Sequence, residues 1–227
     1  FMTSTENAPA IVWFRNDLRV SDNSALCAAA QSGRPVVCLY VFNTDPTLRA
    51  TGAAQRWWLH HSLAALSEKL KQLGSELVLR RGIAADIIKL IASESNARAV
   101  YWNRRYDPSA ITPDTKLKAQ LKAEGFDVRT FDGQLLHEPT QTRTAGGTPF
   151  KVYTPFWRSF RSGPEPRHPF AVPAKLSPLS TRLQSDRLED WKLLPENPDW
   201  ATGMRKEWTP GQDGAAARLD AFLDGAI

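Results

Sequence analysis

Three stretches of the chain put guanidinium, amide and aromatic groups where an apolar run ends. Ile11-Val12-Trp13-Phe14 stops at Arg15 and Asn16, Val36 to Phe42 is followed by Asn43, and Tyr101-Trp102-Asn103 runs into Arg104-Arg105-Tyr106-Asp107-Pro108. Buried parallel strands read as continuous apolar runs, and the polar residues that close them stand on the rim of the sheet. Ligands of open α/β sheets bind outside that rim, where the strand order reverses. With the order 3-2-1-4-5, strands 1 and 4 are neighbours at that point. Arg15 and Asn16 then lie near Asn103 and Arg104, flanked by Phe42 and Asn43. Guanidinium and amide donors beside aromatic faces suit a flat heteroaromatic ligand that carries carboxylates or phosphates. The same residues suit an Arg/Asp network that only holds loops, and the spacing leaves both readings open.

Other site chemistry is missing. No G-x-G-x-x-G follows the first strand and no G-x-x-x-x-G-K-[ST] occurs, so neither a dinucleotide turn nor a P-loop is read. H-E-x-x-H and C-x-x-C are absent as well. His60 and His61 are adjacent and point to different faces of a helix, which argues against a shared metal. No Ser-His-Asp arrangement can be assigned. The chain is expected to hold no catalytic residue and no metal of its own.

The elements that must position the rim alternate along the sequence. Strands are expected at Ala10–Phe14, Val36–Phe42, Glu76–Arg80, Ala99–Asn103 and Val128–Phe131. Helices are expected at Asp22–Gln31, Gly52–Leu73, Ala84–Ser95 and Asp114–Glu124, with Gly33, Gly74 and Gly125 where helices must stop. This alternation predicts an α/β fold, a Rossmann-like five-stranded parallel sheet with helices on both faces. Leu59, Leu63, Leu66, Leu70 and Leu73 form the sheet-facing stripe of the second helix. At 100° per residue Trp57 lies about 160° from Leu59, so it needs another partner: a linker, a second domain, a planar ligand or solvent.

Residues 1–162 make up the expected α/β domain. Its closing aromatics, in Phe131 to Pro139 and Pro149 to Trp157, are read as packing rather than as a stacking platform for bases. Residues 163–207 are proline-rich and aperiodic, a long linker that packs on a surface through Phe170, Leu179, Leu183 and Trp191. Within residues 208–227 a new helix carries Ala215, Leu219, Phe222 and Leu223 at helical spacing. It cannot bury that face unaided and is expected to be the first helix of an all-α domain missing from the chain.

The formal net charge is +5, and it is uneven: residues 1–162 hold 21 Lys and Arg against 14 Asp and Glu, residues 163–227 hold 8 against 10. A basic domain is compatible with nucleic acid, but a solvated basic surface is the preferred reading, and charge alone does not show DNA binding. Mean hydropathy is −0.39, and no apolar run approaches the ~20 residues of a membrane span. The first ten residues lack the basic start and apolar core of a signal peptide. Cys27 and Cys38 read as two buried, reduced thiols, which fits a cytoplasmic protein.

An apolar strand followed by W-F-R-x-D-L-R-x-x-D-N (Trp13 to Asn23) resembles the first strand of the DNA photolyase and cryptochrome family. The resemblance runs from about Ala10 to Arg161 and resumes from Trp208 to Leu223. Arg56-Trp57-Trp58-Leu59 with Ser62-Leu63, Tyr106-Asp107-Pro108, and Gly133-x-Leu-Leu-x-Glu-Pro139 are similar to the class III cyclobutane-pyrimidine-dimer photolyases and plant cryptochromes.

The resemblance implies the amino-terminal, light-harvesting half of a photolyase. In that family the α/β domain holds an antenna chromophore, and FAD sits in a carboxy-terminal helical domain that acts on pyrimidine-dimer DNA. For this branch the implied antenna is methenyltetrahydrofolate. Carried over residue by residue, its pocket involves Asn16, Phe42, Gln55, Trp57, Asn103 and Arg105. Arg105 stands where deazaflavin-binding relatives usually have an acidic residue, which speaks against a deazaflavin. The family's FAD and dimer-contacting residues lie beyond Ile227, so the fragment itself is expected to be a non-catalytic monomer. A cryptochrome-type photoreceptor without repair activity is the alternative, and a nucleotide-binding Rossmann-like domain is a third reading that the missing glycine loop disfavours.

Overall fold

The structure is a computed structural model and describes residues 7–226. Among these residues lie five strands: β1 (Ala10–Phe14), β2 (Val36–Asn43), β3 (Leu77–Gly82), β4 (Ala99–Asn103) and β5 (Asp127–Phe131). Seven α-helices accompany them: α1 (Ser24–Gln31), α2 (Ala53–Gln72), α3 (Ala84–Ser95), α4 (Pro108–Ala123), α5 (Tyr153–Arg161), α6 (Thr202–Glu207) and α7 (Gln212–Ala226). The strands form one parallel sheet in the order β3-β2-β1-β4-β5, so β1 and β4 are neighbours as expected.

Strand side chains alternate between two cores because successive Cβ atoms point to opposite faces. Val12, Phe14, Cys38, Tyr40 and Tyr101 pack with Leu26 of α1 and Leu63, Leu66 and Leu70 of α2. Ile11, Trp13, Val37, Leu39 and Trp102 pack with Ile88 and Ile91 of α3 and Leu117 and Leu121 of α4. Both cysteines are buried and free, and burial pushes the Cys38 thiol up to about 12. Gly74 and Gly125 end α2 and α4 with φ of +80° and +84°, values that favour a residue without Cβ.

Three elements differ from expectation. Helix α4 starts at Pro108 rather than Asp114. A proline suits the first turn, the helix tolerates Pro113 further in, and an ion pair from Asp114 to Arg15 helps to fix its position. Helix α5 carries the closing aromatics that the sequence assigns to packing on the domain, yet none of its residues is buried. Trp57, placed by its angle away from the sheet-facing stripe, is only 1% exposed and belongs to neither core.

The proline-rich segment after α5 packs closely. Leu176, Trp191 and Leu193 join the α1/α2 core, while Leu179 and Leu183 pack partly buried against the α3/α4 core. Phe170 stays partly exposed under the Arg167 guanidinium, 4.4 Å from its ring centre. Between these contacts the segment covers the β3 edge, where Leu79 N donates to Ser185 Oγ at 2.9 Å and Asp186 N to the Leu79 carbonyl at 2.8 Å. A covered edge strand is protected from pairing with another chain. Full burial of each such large apolar side chain is worth about 1.5–3 kcal/mol.

Candidate functional site

The carboxyl ends of β2, β1 and β4 form the rim. At the switch point between β1 and β4 the crevice is bridged by the protein's own side chains. Arg15, 8% exposed, donates from Nη1 to Asp114 Oδ2 at 2.6 Å and from Nη2 to the Asn103 carbonyl, and its guanidinium lies 4.5 Å from the centre of the Trp13 ring. Asp17 accepts from Arg15 N at 2.9 Å and from Asn103 Nδ2 at 2.6 Å. Asn103 Nδ2 also donates to Asn23 Oδ1 at 2.9 Å, and Asn103 Oδ1 accepts from Ala25 N at 3.0 Å. Asn23 in turn caps α1 by accepting from Leu26 N. One buried amide therefore ties β4 to the β1–α1 loop and to the first turn of α1. Gly133 packs tightly on this amide: a Cβ there would meet Asn103 Cβ and Cγ at 3.0 Å, so Asn103 would have to give by a few tenths of an ångström.

The face of the rim beside α1 and α2 is aromatic and cationic. Phe42 stacks on Trp191, with ring centres 5.4 Å apart and planes at 26°, and the Arg81 guanidinium lies 5.8 Å from the Phe42 centre. Tyr40 also meets Trp191, at 6.1 Å. Burial pushes the Tyr40 phenol well above its ordinary pKa, with the Arg105 charge only partly offsetting it, so Tyr40 stays neutral. Arg105 grips Asp107 in a two-pronged pair, 3.1 Å from Nε and 3.0 Å from Nη2. Burial would raise the Asp107 carboxyl, but the Ser109 hydroxyl and Arg105 outweigh it and hold the group below the ordinary range. Nearby, Tyr106 donates to Glu138, which also pairs with Arg104 at 3.1 Å. Burial and that carboxylate push Tyr106 up to about 12.

The first turns of α2 add a third group. Trp57 lies against His61 at 4.6 Å and Trp58 at 6.2 Å, and Trp58 meets Trp208 edge-on at 5.8 Å. Trp57 Nε1, His60 Nδ1 and His61 Nε2 are buried without a hydrogen-bond partner among the described residues. Burial lowers the pKa of both histidines, so they are neutral rings near pH 7.

The six site residues expected from the sequence thus occupy different environments. Asn16, Phe42, Asn103 and Arg105 stand at or just past the ends of three adjacent strands. Asn16 is exposed, and Phe42 and Arg105 are partly so. Asn103 is 3% exposed, with both amide atoms engaged within the protein. Gln55 is exposed and accepts from Gly52 N at 3.2 Å, closing the start of α2. Sequence reasoning missed Arg81, which the register places opposite Phe42, and the stacking of Trp191 on Phe42. It named Trp191 only as a linker anchor. A strand ending Arg80-Arg81-Gly82 was the available signal for the first. Among the described residues no cluster of His, Cys, Asp and Glu is arranged to hold a metal, and no helix is long and apolar enough to cross a membrane.

This topology defines a doubly wound α/β domain whose carboxyl rim is aromatic and cationic and, among the described residues, has no glycine-rich phosphate turn. The DNA photolyase family model matches residues 10–174, and the chain belongs to that family. It is 48% identical over 224 residues to a deoxyribodipyrimidine photo-lyase of Agrobacterium fabrum, covering 99% of this chain and 46% of that protein. Cryptochrome-1 of Arabidopsis thaliana is 33% identical over 96% of this chain and 32% of its own length. The crystal structure of a bacterial class III photolyase from Agrobacterium tumefaciens matches 100% of this chain and 46% of that one, with a TM-score of 0.92 at 48% identity. The chain spans about half the length of the photolyase it matches.

Proposed function

We propose that this chain is the light-harvesting α/β domain of a deoxyribodipyrimidine photolyase and that its rim takes methenyltetrahydrofolate. The observation that carries the reading is agreement along the whole chain with a class III photolyase, 48% identical at a TM-score of 0.92. In this reading residues 1–162 are the antenna domain, 163–207 the strap that packs over it, and 208–227 the start of a helical, FAD-binding region. DNA containing pyrimidine dimers is the substrate of the full-length polypeptide.

The rim suits a folate. Phe42 and Trp191 supply flat aromatic surface, and Arg81 and Arg105 supply charge for carboxylates. Trp57 Nε1 is a buried donor without an acceptor among the described residues, the kind of group a polar ligand atom satisfies. Asn16, Phe42 and Arg105 are the residues the rim offers to the ligand, and Trp57, buried in this structure, joins them where the ligand displaces its cover. Gln55 closes the helix that carries Trp57, and Asn103 holds the rim from within. When bound, the folate supplies near-ultraviolet absorption and passes excitation to FAD.

Titration of the chain with methenyltetrahydrofolate tests this, followed by the change in its near-ultraviolet band. A saturable change that weakens in Arg105→Ala supports the reading. No change with folate, alongside tight calorimetric binding of ATP, contradicts it and favours a nucleotide-binding domain. A cryptochrome-type photoreceptor is the second reading, favoured by the 33% identity to cryptochrome-1. Light-dependent repair of dimer-containing DNA by the full-length polypeptide decides between the two.

A further inference from the structure

Helix α2 has a face that its leucine stripe does not use. Trp57, His60 and His61 recur on it at i, i+3 and i+4. The ring of His61 lies 4.6 Å from that of Trp57 and 5.3 Å from that of His60. Each of the three side chains holds a buried nitrogen without a partner among the described residues. The sheet packs on the other side of α2, so the cover over this face comes from the proline-rich segment. Glu189 brings its charge to His60, and Arg205 of α6 brings its charge to His61. Ala201 is fully buried, and Trp208 meets Trp58 edge-on at 5.8 Å.

That cover is held unevenly. On its amino-terminal side, Leu176 N donates to the Leu73 carbonyl at 2.8 Å, Asp186 N to the Leu79 carbonyl at 2.8 Å, and Trp191 Nε1 to Asp186 Oδ2 at 3.1 Å. On its carboxy-terminal side, Gln212 Oε1 accepts from Val20 N at 2.9 Å and Ser21 N at 3.1 Å, and Asp213 pairs with Lys69 at 2.8 Å. Between these anchors, residues 199–208 bond only among themselves and to Pro198. Arg205 N donates to the Ala201 carbonyl at 2.9 Å, Trp208 N donates to the Met204 carbonyl at 2.9 Å, and Arg205 pairs with Asp199. Among the described residues, no hydrogen bond or ion pair joins residues 199–208 to the α/β domain. Packing alone keeps them there.

The charges around the two histidines act in opposite directions. A proton on His61 meets Arg205 and His60, and both repel it. A proton on His60 meets Glu189, which attracts it. Behind these groups, Arg187 lies 3.9 Å from Glu189 and Asp199 pairs with Arg205. Acidification therefore favours the turn at Leu188–Trp191 and disfavours α6 on the same face. We propose that residues 199–208 form a lid on α2, closed over a neutral His61 ring and opened when that ring takes up a proton. Opening uncovers the Trp57 indole to a polar ligand atom. The lid stands on these contacts; entry of a folate beneath it rests on the proposed function.

The sign follows from what the lid excludes. Burial, then the His60 and Arg205 charges, hold His61 below the ordinary histidine range. The open lid returns water to the ring, so the open state binds the proton more tightly. Closure is complete above about pH 6.5 and weakens below it, by at most about tenfold per pH unit for one proton.

Amide exchange of the 227-residue chain, corrected for intrinsic rates, tests the lid. Protection of the Arg205 and Trp208 amides should fall about threefold to tenfold between about pH 7 and pH 5.5. The Asp186 amide and the amides of β1 should keep theirs. Trp57, protected from hydroxyl-radical oxidation at the higher pH, should react at the lower. His61→Gln and His61→Phe should each flatten the response, the second keeping a ring against Trp57, while His60→Gln retains it. Four outcomes would overturn the proposal: a fall of less than about twofold, an equal fall at Asp186 and in β1, a response that persists in both His61 variants, and a Trp57 that stays protected. Lid opening with no folate binding at either pH would leave the lid standing and remove the folate reading instead.

Discussion

Replacing Asn103 by alanine removes the amide that joins β4, the β1–α1 loop and α1. Three partners lose a hydrogen bond: Asp17 Oδ2, Asn23 Oδ1 and Ala25 N. Asn23 Oδ1 keeps Leu26 N, but Arg15 N is held by the other Asp17 oxygen, Oδ1, so the Ala25 N–H loses its partner and Asp17 Oδ2 loses the amide that faced it. An orphaned buried donor costs about 1–3 kcal/mol, and each weakened acceptor adds roughly 0.5–1.5 kcal/mol. The expected loss is about 3–4 kcal/mol, a large share of a stability on the order of 5–15 kcal/mol. For a chain of this size that lowers the melting temperature by about 6–16 °C. Urea unfolding followed by circular dichroism measures it. Asn103→Asp should cost at least as much at neutral pH, because a second carboxylate then faces Asp17 where a donor stood. A loss below about 1 kcal/mol for Asn103→Ala would show that the rim is not held by this network.

Trp57→Phe keeps an aromatic ring, removes an indole N–H that has no partner among the described residues, and leaves a cavity where the fused ring stood. Stability should fall by about 1–2 kcal/mol, while folate binding weakens; unaltered folate affinity would exclude Trp57 from the pocket. Gly214→Ala sets a Cβ 1.9 Å from the Thr209 carbonyl oxygen, so the start of α7 must shift. Amide exchange at Val20 and Ser21, which donate to Gln212, should speed up, and unchanged exchange would contradict the anchoring. Burial holds His60 and His61 below the ordinary histidine pKa. As pH falls, the unfolded chain binds protons first. The stability these neutral rings contribute is therefore complete above about pH 6.5 and declines as pH drops through the window beneath it. The urea midpoint should fall across that window, and less steeply in a His60→Gln, His61→Gln double variant; equal slopes would refute the assignment.

The sheet was legible because its signals are local. Continuous apolar runs ended by charge located β1 and β4 to the residue, and Gly74 and Gly125 marked helix ends through a backbone conformation that favours glycine. Contacts distant in sequence were not legible. Asp114 reads as the start of a helix after Pro113, yet its partner Arg15 lies 99 residues away and the helix already runs from Pro108. The angle of Trp57 on α2 correctly removed it from the leucine stripe but could not show that the neighbouring surface is closed. Arg81 and Phe42 meet through strand register, which no local pattern records. Asn103 was legible as a rim residue, but the three partners that turn its amide inward come from other segments.

The most direct measurement is an action spectrum of dimer repair by the full-length polypeptide, reconstituted with FAD and methenyltetrahydrofolate. The account predicts a near-ultraviolet folate band in the wild-type spectrum, reduced in Arg105→Ala while the flavin-driven component persists. A spectrum that follows the flavin alone, with folate present and the wild-type rim intact, would contradict it.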